Sequence, residues 1–451
     1  MAAVSPARKA AFQILLAIEK THAHSDDLLR GKAVSALSAA DRHLATALVL
    51  GVLRWQARLD GQVRDFLDKP NARLDREIQI ALRLGAFQLL HMDRIPAHAA
   101  IDESVELAKQ AGHSFASRMV NAVLRKVAVV PRAEGSRAGS TDSEIDQTHP
   151  AWMVERWTRF YGIDAVRSVC AYGQEQPATT IRVEGPAVEE ELTKAGIGLT
   201  PGRLLSAARL VTAGDVMETA AFREGRVRLQ DEGSQLVAEI AGYGNAILDC
   251  CAAPGGKTLV LAERNPAAHI VAGDVSAQRL AQLRERLTPL GDRVECRLGD
   301  AASMTEEGAY DLVLADVPCS GTGTLGRNPE IRYRLRLEDL ASQADRQRAI
   351  LRAALRAIRS SGRVVYSTCS MEPEENEEVV AAVLAEMRNV RVRAVGDRIE
   401  EMLAEGLITV HSVDALRDCV TPEGYLRLCA GVFQTDGFFV CVLERETASG
   451  H

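Results

Sequence analysis

The stretch Ala246-Ile247-Leu248-Asp249-Cys250-Cys251-Ala252-Ala253-Pro254-Gly255-Gly256-Lys257-Thr258 decides the fold. Its first residues, 246–250, form a short apolar run that reads as a buried strand. The small residues after it make a tight turn, and the turn opens a helix. Working outward, the same rhythm recurs: apolar runs at 269–274, 294–298, 310–316 and 363–366 alternate with helical patterns. Strands separated by helices of this length pair in parallel with right-handed crossovers, which gives an α/β, doubly wound sheet. In such sheets ligands gather outside the carboxyl ends of the strands.

Every chemically suggestive residue falls at that rim. Cys319 lies in Asp316-Val317-Pro318-Cys319-Ser320-Gly321, and Cys369 lies in Tyr366-Ser367-Thr368-Cys369-Ser370. Two thiols at one rim point to covalent chemistry. The glycine turn lacks both the G-x-G-x-x-G spacing and the G-x-x-x-x-G-K-[ST] phosphate loop, so a nucleoside triphosphate is a poor ligand for it. Its small residues instead let backbone N–H groups approach a ligand closely. Asp274 ends a strand 25 residues after Asp249, where a carboxylate can accept from ribose hydroxyls. Asp300, after the third strand, is placed to accept from an exocyclic amine. A carboxylate at a strand end can equally be a helix cap, but acids at successive strand ends make a stronger case. Ribose, adenine and an amino-acid tail together describe S-adenosylmethionine.

The rest of the chain divides by composition. Residues 1–130 are helical throughout: Ala11, Ile14, Leu15 and Ile18, then Ala45, Leu48, Val49 and Val52, then Leu82, Gly85, Ala86 and Leu89, then Val120, Val123, Leu124 and Val127 all keep helical spacing. Pro96 and caps at Ser38 and Asp102 separate these segments. Residues 131–148, rich in Gly, Ser, Pro and charge, read as a flexible linker. Residues 149–235 read as a small α+β unit, with a helix through Trp157 and Tyr161 and strands near 179–183 and 226–229. Residues 236–446 carry the large sheet.

With 451 residues, 47% hydrophobic and 25% charged, the chain has ample material for several cores. It has no run of about 20 apolar residues and no apolar leader, so the expectation is a cytoplasmic protein without a membrane span. Nine cysteines without C-x-x-C pairing predict reduced thiols and no metal site. Most of these fit buried small hydrophobes, Cys441 above all. A net charge of −7 argues against nucleic-acid binding by bulk electrostatics, though local basic surface is compatible with it. Arginines concentrate after the first cysteine loop, at Arg327, Arg332, Arg334 and Arg336, where they are expected to hold phosphates. Those at Arg346, Arg348, Arg352 and Arg356 read equally well as an ion-paired helix face.

Three motifs in order, Ala252 to Thr258, Asp316 to Gly323, and Ser367 to Ser370 followed by Glu374-Glu375-Asn376-Glu377, resemble the Sun family of RNA cytosine-5 methyltransferases. The resemblance to the bacterial small-subunit ribosomal RNA type covers nearly the whole chain. It implies a NusB-like RNA-binding domain, an RRM-like unit and a Rossmann-like class I methyltransferase domain. It also implies S-adenosylmethionine as cofactor, held by Cys251, Ala252, Ala253, Pro254, Gly255, Gly256, Lys257, Asp274, Arg279, Asp300 and Asp316, with RNA as partner. By the same resemblance Cys369 is the nucleophile and Cys319 assists removal of the C5 proton. Asp316 and Lys257 join them as catalytic groups, Asp316 toward cytosine N3 and its amine, Lys257 toward a thiol or the methionine carboxylate. One departure is Arg182-Val183-Glu184, where the family often has asparagine third.

The chemistry explains the residue types. Cytosine C5 is too weak a nucleophile to attack a sulfonium methyl, and adding a thiolate at C6 turns the ring into an enamine. Spacing alone does not say which thiol attacks, since DNA cytosine-5 methyltransferases use the cysteine of a Pro-Cys pair, here Cys319. A non-enzymatic RNA-binding protein would leave both cysteine loops without purpose. A protein glutamine methyltransferase would show an Asn-Pro-Pro-Tyr loop, which this chain lacks.

Overall fold

The computed structural model describes residues 4–21, 23–130 and 148–445. The expected linker at 131–148 therefore lies outside the described residues, apart from Thr148. The chain forms two compact units: Met1–Gln176 with Leu325–Arg334, and Pro177–Thr324 with Leu335–His451.

The first unit is helical, with principal helices Pro6–Thr21, Ala39–Arg64, Arg76–His91, Ala97–Gln110 and Ser117–Val127. The apolar positions read at helical spacing are buried, nearly all of them in one core, while Ala45 packs in a smaller cluster with Ala7 and Ala10. Ser38 caps its helix as expected, its hydroxyl accepting from Asp41 N at 3.2 Å. Asp102 does not cap: it is an exposed residue inside the helix that begins at Ala97. The good helix formers from Ala97 onward let that helix start directly after Pro96, five residues before the aspartate. Helices Ala151–Tyr161 and Ile163–Gln174 also belong to this unit.

So does the ten-residue excursion Leu325–Arg334. Glu330, 1% exposed, accepts from Ser25 N and Ser25 Oγ, both at 2.9 Å. Arg332, 2% exposed, donates to the carbonyl of Gly173 at 2.6 Å. Arg334 donates to the carbonyl of Ala23 at 3.3 Å. Arg332 is thus a buried tie to backbone carbonyls, not a phosphate ligand, because its guanidinium fork satisfies peptide oxygens deep in the helical unit. The second arginine group behaves as the ion-paired face: Arg348 pairs with Asp345, and Arg352 with Glu386 at 2.5 Å.

The second unit holds two sheets. The smaller is antiparallel, ordered β2-β3-β1-β4, from β1 (Thr180–Val183), β2 (Gly198–Pro201), β3 (Ala208–Ala213) and β4 (Val227–Leu229). The larger contains β5 (Ala246–Asp249), β6 (His269–Asp274), β7 (Val294–Leu298), β8 (Tyr310–Asp316), β9 (Ile358–Thr368), β10 (Val390–Arg393), β11 (Leu426–Leu428) and β12 (Phe438–Arg445). Its order is β10-β12-β9-β8-β5-β6-β7, with β11 paired to β12. Pairing is parallel from β9 to β7, while β12 runs antiparallel to β9 and to its other partners. This is the expected doubly wound sheet with an antiparallel edge. The chain winds outward through β6 and β7 and returns on the other side of β5 as β8, so the strand order reverses between β5 and β8. That reversal opens the crevice in which such folds bind ligands.

The strands at 269–274, 294–298 and 310–316 match their expected bounds. β9 is longer than expected because Arg359-Ser360-Ser361-Gly362, a polar run that reads as a turn, is carried in the ladder across a register shift opposite Tyr310 and Leu312.

Candidate active site

The glycine turn leaves β5 through Cys250 and Cys251 and enters helix Gly256–Arg264. Gly255 has φ +97°, and a Cβ there would lie 2.6 Å from Leu283 Cδ1, so only glycine fits. The Ala253–Pro254 peptide is cis. Behind the turn Asp249, 1% exposed, accepts from Thr258 Oγ1 at 2.7 Å, and its other oxygen is buried without a partner. Burial pushes its carboxyl up to about 7.

Lys257 points from the first turn of the helix at Asp316, the last residue of β8, with Nζ 2.7 Å from Oδ2. Asp316 Oδ1 accepts from Ser367 Oγ at 2.8 Å. Lys257 also stands over the Phe438 ring, 5.4 Å from its centroid. Burial opposes its charge, but Asp316, Cys369 and Asp249 outweigh that penalty and raise its pKa.

The two thiols meet. Cys319 Sγ and Cys369 Sγ are 3.5 Å apart, each half-buried, and all nine cysteines are free. The hydrogen bond with Cys369 and burial push the Cys319 thiol well up. The loops approach so closely because Gly323 N donates to the Cys369 carbonyl at 2.9 Å. A Cβ on Gly323 would sit 2.9 Å from that same oxygen and 2.5 Å from the Gly437 carbonyl, which explains the glycine in the first cysteine motif.

Asp274, 2% exposed, accepts from Ser276 N at 2.8 Å and from Arg279 at 2.9 Å. Arg279 thus orients the carboxylate from helix Ala277–Leu287. Asp300 caps a short turn, accepting from Ala302 N at 3.1 Å, and remains half-exposed. A cleft of about 190 Å³ runs beside it, lined among others by Leu248, Cys250, Val271, Gly273 and Gly299.

The site residues read from the sequence therefore divide into one cluster and one arc. Lys257 with Asp316 and Cys319 with Cys369 form two contacting pairs, near enough for Cys369 to act electrostatically on Lys257, while the glycine turn, Asp274 and Asp300 line successive strand ends. Sequence reasoning missed Ser367, which holds Asp316, and Phe438, under Lys257. It also quoted Glu375 without a role, although this residue binds both cysteine loops. Its signal was the short spacing from Cys369 within a run of acids.

These features fit S-adenosylmethionine. The turn has room only for glycine at Gly255, a buried acceptor lies behind it, and acids stand where ribose and amine donors would come. Glycine-turn residues 251–256 would hold the amino-acid tail, Asp274 the ribose and Asp300 the adenine amine. Among the described residues, no group of three His, Cys, Asp or Glu could hold a metal, and no helix is long and apolar enough to cross a membrane.

Comparison with known proteins finds relatives for the length of the chain. Residues 241–444 match the model for 16S rRNA methyltransferase RsmB/F, residues 5–129 the NusB family, and residues 149–217 the RsmF/B-like ferredoxin-like domain. The probable ribosomal RNA small subunit methyltransferase B of Bacillus subtilis is 31% identical, over 97% of this chain and 98% of its own. Ribosomal RNA small subunit methyltransferase B of Pseudomonas putida is 34% identical over 78% and 83%. The crystal structure of PH0851 shares the fold, with a TM-score of 0.77 at 23% identity over 98% of this chain and 100% of that one. With a relative this similar along nearly its entire length, the chain belongs to the 16S rRNA methyltransferase RsmB/F family of S-adenosylmethionine-dependent enzymes.

Proposed function

We propose that this enzyme methylates C5 of a cytosine in small-subunit ribosomal RNA through a covalent adduct between Cys369 and C6, in the cytoplasm. The observation that carries the reading is the pair of sulfurs 3.5 Å apart beside the Lys257–Asp316 ion pair.

A base inside a duplex must first leave its stack, so the target is a cytosine in a loop or an opened helix. Cys319, as a thiol, donates a hydrogen bond to a Cys369 thiolate. The Cys369 sulfur attacks C6 and forms the carbon–sulfur bond, and the ring electrons pass toward N3 and C5. Asp316 faces N3 and the exocyclic amine, and Lys257 keeps it oriented. Bound S-adenosylmethionine supplies the electrophilic methyl group. Once Cys369 is bonded to carbon it no longer holds the Cys319 proton, which leaves to solvent. Cys319 then takes the C5 proton, the C5=C6 double bond re-forms and Cys369 departs as thiolate. One proton is released per turnover, and both sulfurs return to their starting state.

The test is nucleoside mass spectrometry of small-subunit ribosomal RNA incubated with the protein and S-adenosylmethionine. The expected product is 5-methylcytidine; methylation at another atom, or on another base, would overturn the reading.

A further inference from the structure

Glu375 is completely buried, and among the described residues no Lys or Arg pairs with it. Its carboxylate is held by four neutral donors. Oε1 accepts from Ser320 N at 2.8 Å and Gln347 Nε2 at 3.0 Å, and Oε2 accepts from Ser320 Oγ and Ser370 Oγ, each at 2.5 Å. A buried carboxylate without a cation is costly unless its hydrogen bonds are complete. Apolar packing would be the cheaper way to fill this space, so the position of the donors matters more than stability.

Those donors mark the site. Ser320 follows Cys319, and Ser370 follows Cys369. Gln347, from helix Leu337–Ala357, also donates to the carbonyl of Pro318 at 2.9 Å, so Cys319 is gripped on both sides. The backbone that carries these groups is anchored as well: the Tyr366 hydroxyl donates to the Glu375 main-chain carbonyl at 2.6 Å, and the neighbouring Asn376 amide donates to the Ser370 main-chain carbonyl at 2.9 Å.

We propose that Glu375 is a positioning residue that holds Cys319 and Cys369 in register by binding the serine that follows each. This deepens the two-cysteine reading and rests on it. The negative charge has a second effect, since it opposes ionisation of Cys319. The other titratable groups facing that thiol are Cys369 at the end of β9 and Tyr366 within it. Lys257 and Asp316 lie beyond Cys369. Helix Leu337–Ala357 contributes only the neutral Gln347.

The test is Glu375→Gln, which keeps the shape, loses the charge and sets an amide N–H against a hydroxyl donor. Two readouts are combined: steady-state methylation of ribosomal RNA, and the pH profile of iodoacetamide labelling at Cys319, located by peptide mass spectrometry. Displacing a reacting group by about 1 Å costs on the order of 100-fold. The expected result is a kcat lower by about that factor, KM for RNA and S-adenosylmethionine within about twofold, and a Cys319 labelling midpoint moved to lower pH. A fall in kcat with an unmoved labelling profile would overturn the proposal by reducing Glu375 to ordinary packing, and unchanged values in both would overturn it outright. A shifted profile with unchanged methylation would uphold the grip on Cys319 and sink the two-cysteine reading. Should Glu375→Gln fail to fold, Ser320→Ala and Ser370→Ala each remove one tether and keep the carboxylate. Each is expected to slow turnover about tenfold, and wild-type turnover in both would contradict the proposal.

Discussion

Two clusters of buried charge in the second unit differ in how they are neutralised. Arg182 of β1 is 1% exposed and reaches Glu239 at 2.7 Å and Glu263 at 2.8 Å. Arg264 pairs with Glu239, and Arg228 with Glu263, so every carboxylate oxygen in that cluster meets a guanidinium. At the rim, by contrast, one lysine, Lys257, donates to Asp316, Asp249 keeps an unpartnered oxygen, and Glu375 has only neutral donors. Full compensation ties the small sheet to the helices Glu232–Ala241 and Gly256–Arg264. Partial compensation leaves groups whose protonation and partners can change during a reaction.

The comparison breaks most sharply at the proposed nucleophile. Cys369→Ala should lower methylation by about four orders of magnitude or more, as loss of a covalent catalyst does, with unchanged melting in calorimetry. Arg182→Met should act on stability instead. Removing the shared guanidinium leaves buried carboxylates underpaired, at about 3–5 kcal/mol, read from urea unfolding, while activity per folded molecule stays within about twofold. Lys257→Met should reduce kcat/KM by about 100- to 1000-fold with little change in the unfolding midpoint. If Lys257→Met proves mainly destabilising, the contrast between the clusters fails.

Asp249 gives the smallest effect and a definite sign. In the folded chain its carboxyl keeps its proton up to about 7, against 3.8 when unperturbed. The folded state therefore binds more protons than the unfolded state between these values, and the stability it contributes is lost as pH rises through that window. The difference in unfolding free energy between wild type and Asp249→Asn should slope by no more than about 1.4 kcal/mol per pH unit there. It should flatten above about pH 8.

Much of the fold was legible because buried parallel strands are short apolar runs with sharp ends. Tyr310–Asp316 and His269–Asp274 could be bounded to the residue. The glycine turn and both cysteine loops were legible because tight backbone approach, as at Gly255 and Gly323, demands residue types that stand out. Side-chain partners far apart in sequence were not. Arg332 reads as a surface cation, yet its donors end on peptide carbonyls more than 150 residues away. Glu375 sits in an acidic run that looks solvated, and only the convergence of Ser320, Ser370 and Gln347 reveals its burial. The short spacing of Asp102 from Pro96 mimics a cap, whereas the helix starts at once after the proline.

The division of labour between the two thiols is tested most directly by trapping on RNA carrying 5-fluorocytosine at the target, which blocks removal of the C5 substituent. The account predicts a covalent complex with wild type and with Cys319→Ala, mapped by mass spectrometry to Cys369, and none with Cys369→Ala. An adduct that survives in Cys369→Ala and disappears in Cys319→Ala would contradict it.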